Sequence, residues 1–134
     1  MGLFDIFKSN LRNKTTDVDF EKVKYTGKME LENNFDGPIA SPTWQQVQIY
    51  LNKMIQNKEE FVTLTLSEAV YGVRYMQACS VKGEYSLQLG VETDTKTNLV
   101  EIVCDKKELV DRFAQFYEYG FVHDIDQFKP VEFI

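Results

Sequence analysis

Histidine and cysteine are scarce in this chain, with one His and two Cys among 134 residues. A hydrolytic zinc site takes about three protein ligands in a defined geometry, and His123, with Asp124 and Asp126 beside it, supplies no such set. Cys79 and Cys104 fall on separate expected strands, without metal-type spacing and away from a nucleophile-like turn or helix start. They read as reduced and buried, which fits a reducing cytoplasm better than a disulfide framework. The seven glycines are scattered, so there is no phosphate-cradling loop, no Walker lysine and no dinucleotide fingerprint. No apolar run approaches the ~18 to 20 residues that span a bilayer, and neither an internal repeat nor a low-complexity tract is present. These absences lead to an expectation of no enzyme activity, no cofactor and no metal. The catalytic alternative is a site built on His123 with Cys79 or Cys104.

What is present is patterning. From Glu84 to Glu92, Tyr85, Leu87, Leu89 and Val91 alternate with Glu84, Ser86, Gln88, Gly90 and Glu92, the two-residue period of a half-buried strand. Upstream, Val73, Tyr75, Gln77, Cys79 and Val81 alternate with Gly72, Arg74, Met76, Ala78 and Ser80, and Lys82-Gly83 makes a hairpin turn in which Gly takes a positive φ. Val62, Leu64 and Leu66 form a third strand, and Leu99 to Val103 a fourth after the polar loop Thr93 to Asn98. Connections this short require antiparallel pairing. A further strand is expected around Val23, Tyr25, Met29 and Leu31, with Lys22, Lys24 and Lys28 outward as edge protection.

Two helices have start signals. Asp105 caps one, with Glu108 expected to reach back to its amide; the apolar stripe is Leu109, Val110, Phe113, Phe116 and Tyr117, and Gly120 stops it. Ser41 as N-cap and Pro42 as first residue open the other, whose stripe is Trp44, Val47, Leu51, Met54 and Ile55. The aromatic tail from Phe121 to Ile134 is expected to dock, ending as a short strand. The fold class is therefore α+β, a mostly antiparallel sheet of four to six strands with two main helices packed on one face. Residues 21–134 form this single domain. Residues 1–20 form a separate segment, in which Leu3, Phe4, Phe7 and Leu11 share a helical face and make membrane contact through residues 3–11 a side reading. Asp5 and the missing cleavage site argue against a secretory signal.

Charge points outward. Residues 31 to 134 hold nine basic against sixteen acidic side chains, within a net charge of −6 for the chain, so nucleic acid is repelled and a basic protein partner is favoured. Candidate contact residues are Glu84, Glu92, Asp94, Glu101, Asp111, Glu118, Asp124 and Asp126. The order of a Ser41-Pro42-Thr43-Trp44 helix, strands at Phe61 to Leu66, Gly83 to Glu92 and Leu99 to Val103, and a helix from Lys107 to Tyr119 resembles small acidic immunity proteins of bacterial polymorphic-toxin systems. That resemblance implies a stoichiometric inhibitor of a toxin domain. The region through Leu31 has no counterpart in it. The alternative reading is a small-molecule or lipid-binding domain with a pocket between Trp44, Phe113, Phe116 and Tyr117.

Overall fold

Two tight turns set the frame of the sheet. In a computed structural model that describes residues 24–57, 60–122 and 124–131, Lys82 and Gly83 take φ of 48° and 86°, and Tyr71 and Gly72 take 49° and 86°. Positive φ at both central residues is the two-residue hairpin turn whose twist matches that of paired strands. They join β3 (Phe61–Val70) to β4 (Val73–Val81), and β4 to β5 (Glu84–Glu92). A four-residue loop then leads to β6 (Thr97–Cys104). The strand expected to stop at Leu66 thus continues to Val70, because Tyr71-Gly72 repeats the chemistry of Lys82-Gly83.

The described residues form one antiparallel sheet of seven strands in the order β2-β1-β3-β4-β5-β6-β7, with β1 at Met29–Asn33, β2 at Ile39–Ala40 and β7 at Lys129–Pro130. The class is the α+β fold expected. The count rises above six because both edge strands have two residues, too few to leave a period in the sequence. Such short edges also limit pairing with other chains. β1 starts at Met29, and Tyr25, expected within that strand, instead gives its amide to the Glu118 carbonyl at 2.8 Å. Val23, like the whole segment 1–20, lies outside the described residues.

Helix α1 (Trp44–Gln56) packs on β3 and β4, and α2 (Lys106–Tyr119) on β4 and β5, with the helices in mutual contact. α1 begins two residues later than the Ser41 cap implies. Ser41 adopts φ 50° and gives its amide to Met29 O, so it ends a strand. Thr43 caps instead: its hydroxyl accepts from Gln46 N at 3.1 Å while Gln46 Oε1 accepts from Thr43 N at 2.9 Å. This reciprocal box satisfies two amides that have no partner within the helix. In α2 Asp105 caps as expected, accepting from Glu108 N at 2.9 Å, and Gly120 closes the other end at φ 70°. Glu108 does not return to the Asp105 amide; its carboxylate is drawn to Arg112.

The core lies between this helical layer and one face of the sheet. Leu64, Met76, Leu87, Leu89, Val47, Met54, Leu109, Phe113 and Phe116 are all wholly buried there. Phe121, Val122, Ile125 and Phe128 of the tail dock into the same core, so the aromatic run after α2 acts as its lid. A bulge between Val73 and Tyr75 changes the face of β4. Val73, Met76 and Ala78 are buried, whereas Tyr75, Gln77 and Cys79 are half-buried on the opposite side. An extra residue in one strand of a pair displaces everything after it by one pleat.

Candidate functional site: the open face of the sheet

With both helices on one side, the other side of the sheet has no layer over it among the described residues. Strand register sets its side chains in three cross-strand rows. Phe61, Cys79, Ser86 and Val103 form the first; Glu32, Thr63, Gln77, Gln88, Glu101 and Lys129 the second; Glu30, Thr65, Tyr75, Gly90 and Leu99 the third. The second row is a hydrogen-bonded ladder. Thr63 Oγ1 donates to Gln77 Oε1 at 3.0 Å, and Gln88 Nε2 donates to Glu101 Oε2 at 3.1 Å. Each bond holds two side chains in one rotamer, so the face presents a fixed polar pattern.

In the third row Tyr75 fills the space that Gly90 leaves empty. A Cβ on Gly90 would stand 2.2 Å from the Tyr75 ring, so only glycine lets the ring lie flat across β5. Burial raises the Tyr75 phenol above its ordinary pKa of 10.0.

This surface is uncharged at its centre and mainly acidic at its margin, where Lys129 of β7 stands opposite Glu101. β3, β4 and β5 contribute Phe61, Thr63, Thr65, Tyr75, Gln77, Cys79, Ser86 and Gln88, none of them ionised at neutral pH. Glu30 and Glu32 flank it on β1, Glu101 on β6, and by the strand pleat Glu84 and Glu92 stand at the two ends of β5. Val103 and Val81, 47% and 40% exposed, are the large apolar side chains most open to solvent in these strands.

Of the acidic candidates, then, Glu84, Glu92 and Glu101 belong to this face, and Asp94 lies in the loop after β5. Glu92 is engaged by Arg74 Nη2 at 2.9 Å, a guanidinium that also donates to the Leu66 and Ser67 carbonyls. Asp111, Glu118, Asp124 and Asp126 belong to the helical layer and the tail, so the eight residues do not gather into one patch. No family model, no curated protein and no solved structure matches the chain. Its own geometry is therefore what bears on function.

Asp124 has a structural partner that sequence reasoning missed. Arg112, on α2 and 8% exposed, donates to both Asp124 oxygens at 2.7 and 2.8 Å and to Glu108 Oε2 at 3.0 Å. Its guanidinium lies 5.1 Å from the centre of the Phe128 ring. Burial acts to lower the Arg112 pKa, but the bonds to Asp124 and Glu108 outweigh it, so the net shift is upward and the charge is held. A sequence signal existed in the i,i+4 pair Glu108 and Arg112. The partner across the chain reversal did not announce itself.

The proposed pocket residues separate. Phe113 and Phe116 are fully buried in the core. Trp44 and Tyr117 are half-buried, their ring centroids 5.7 Å apart at 46°, and they line an open groove of about 450 Å³ with Lys24, Tyr25, Ala114 and Glu118. Phe113 and Phe116 do not line it.

The two cysteines occupy opposite faces. Cys79 pairs with Ser86 on the open face, whereas Cys104 pairs with Tyr85 and is buried on the helical side. Burial, aided by Glu101, raises the Cys79 thiol pKa; Ser86, whose hydroxyl makes no bond of full hydrogen-bond geometry, opposes weakly. Burial and the Glu108 charge push Cys104 from 9.0 up to about 11. Between these values folded Cys104 keeps a proton that the unfolded chain has lost. Its contribution to stability is therefore full below pH 9 and is lost as pH rises toward 11. Urea midpoints at pH 8 and pH 10.5 should fall further apart for the natural chain than for Cys104→Ala. His123 lies outside the described residues, and among the described residues no three His, Cys, Asp or Glu side chains gather as a metal site. No helix among them is long and apolar enough to cross a membrane.

Proposed function

We propose that the chain is a non-catalytic protein-binding domain that engages a partner through the open sheet face. An immunity or inhibitor protein that neutralises a cognate toxin domain is the specific form of this reading. The observation that supports it is the charge layout: the middle of the three central strands presents Phe61, Thr63, Thr65, Tyr75, Gln77, Cys79, Ser86 and Gln88 without an ionised side chain, while Glu30, Glu32, Glu84 and Glu101 stand around them and Glu92 is paired with Arg74. Protein interfaces are depleted of charge at their centre and polar at the rim, which is where electrostatic complementarity guides encounter. A carboxylate border favours a partner with lysines and arginines around an apolar or hydrogen-bonding centre. The ordered Thr63, Gln77, Gln88 and Glu101 ladder lowers the entropy lost on binding, because those rotamers are already set.

The test is capture of a partner by the tagged chain in its native cell, followed by affinity measurement on the purified pair. Val103→Arg, which sets a positive charge beside the uncharged centre of the face without touching the core, should weaken binding of a basic partner at least about fivefold, the scale at which an interface side chain counts as contributing. Ile49→Arg is the control, since Ile49 is 52% exposed on α1. Unchanged affinity for Val103→Arg, or a loss confined to Ile49→Arg, would remove the sheet face as the interface. A captured partner that is not a toxin domain, or no captured partner at all, would remove the immunity form.

A further inference from the structure

Twice among the described residues a cation is set against an aromatic ring beside a carboxylate. Lys53 Nζ stands 4.9 Å from the centre of the Tyr50 ring and 5.5 Å from that of Phe35, with Asp36 Oδ2 3.7 Å away. Arg112 lies against Phe128 with Asp124 bonded to its outer nitrogens. The groove between the start of α1 and the end of α2 has two of these three components. The Trp44 and Tyr117 rings form an angled wall, Tyr25 and Ala114 extend it, and the Glu118 carboxylate is at the margin. Among the described residues no cation stands over either the Trp44 or the Tyr117 ring.

We propose that this groove is a second binding site, separate from the sheet face, and that it takes an arginine side chain from a basic peptide segment. Aromatic faces attract cations through their quadrupole, and the planar, weakly hydrated guanidinium stacks on rings while donating in a fork to a carboxylate. The wall is set in advance, because the Tyr117 hydroxyl donates to the Pro42 carbonyl at 2.8 Å and fixes the ring against α1. Glu118 is available at small cost. Its ion pair with Lys24 is 3.6 Å long, and Lys24 is 72% exposed, the kind of surface pair that contributes little. Lys24 at the same margin is a competitor built into the chain. An anionic ligand would meet Glu118 unfavourably, and a neutral apolar one would leave that carboxylate unused.

Trp44 is the sole tryptophan, so its fluorescence reports on the groove in the intact protein. A short acetylated, amidated Gly-Arg-Gly peptide should change that emission saturably, and the same peptide with citrulline for arginine should bind about fivefold more weakly, the scale of an exposed cation and ring contact. Glu118→Gln should weaken the arginine peptide about threefold, and Lys24→Ala should strengthen it; both positions are exposed enough for the fold to persist. Equal binding of the arginine and citrulline peptides would overturn the proposal. So would an emission shielded from acrylamide and indifferent to the peptide, which would assign the groove to residues 1–23 of this same chain. Because the groove is on the helical layer, Val103→Arg should leave the peptide titration unchanged, and failure of one site does not entail failure of the other.

Discussion

Arg112→Ala should cost the fold about 3 kcal/mol, the lower end of what is lost when one partner of a buried ion pair is removed. The guanidinium is nearly out of solvent while Asp124 and Glu108 remain 40% and 44% exposed, so the abandoned carboxylates regain part of their hydration and the loss stays near that lower end. Three links go at once: the fork to Asp124, the i,i+4 bond to Glu108, and the contact with Phe128. Together they fasten the reversal after Gly120 to α2. Urea unfolding measures the effect as a lower midpoint, and Arg112→Lys should lie between, since an ammonium cannot reproduce the two parallel bonds. A midpoint for Arg112→Ala equal to that of the natural chain would show that the tail is held by its apolar side chains alone.

Phe116→Ala should be more damaging still, about 4 kcal/mol, the middle of the range for emptying a buried phenylalanine site. Phe116 is wholly buried in the core cluster that also holds residues of the sheet and of the docked tail, and its carbonyl receives the Gly120 amide that ends the helix. Truncation leaves a void among core side chains that cannot all move inward, because interiors are packed to crystal density. A domain of this kind has roughly 5 to 15 kcal/mol in total, so the variant should unfold at markedly lower urea and show a reduced melting temperature. Phe116→Leu, which restores most of the volume, should recover much of the loss. Equal destabilisation by Leu and Ala would point to ring geometry, not volume, as the controlling feature.

Much of the architecture was legible wherever a physical period ran long enough. Leu87, Leu89 and Val91 declared a buried strand face, Lys82-Gly83 declared its turn, and Asp105 with Gly120 bounded α2 correctly. The errors have local causes. Ser41 has the right chemistry for a cap but is committed to Met29, so Thr43 takes the role. The bulge at Arg74 moves Tyr75, Gln77 and Cys79 away from Val73, and no alternation rule detects a single inserted residue.

At the candidate site the legible part was charge sign; the grouping was not. Glu84 and Glu101 border one face, whereas Asp124 answers Arg112 and Glu118 borders the groove, because residues near in composition are dispersed by topology. Of the four residues proposed to share a pocket, Trp44 and Tyr117 meet at an open groove, whereas Phe113 and Phe116, on neighbouring turns of the same stripe, point into the core.

The brevity of the links in the central meander has a kinetic meaning. Strands β3 to β6 are joined by two, two and four residues, so each can zip onto its predecessor as soon as both exist, with almost no chain to close. Distant encounters are left to β1, which must wait across α1 for β3, and to the two-residue β7, which returns across α2 to β6. Refolding should therefore proceed at a speed set by neighbour-to-neighbour contacts, faster than for sandwiches built from remote pairings.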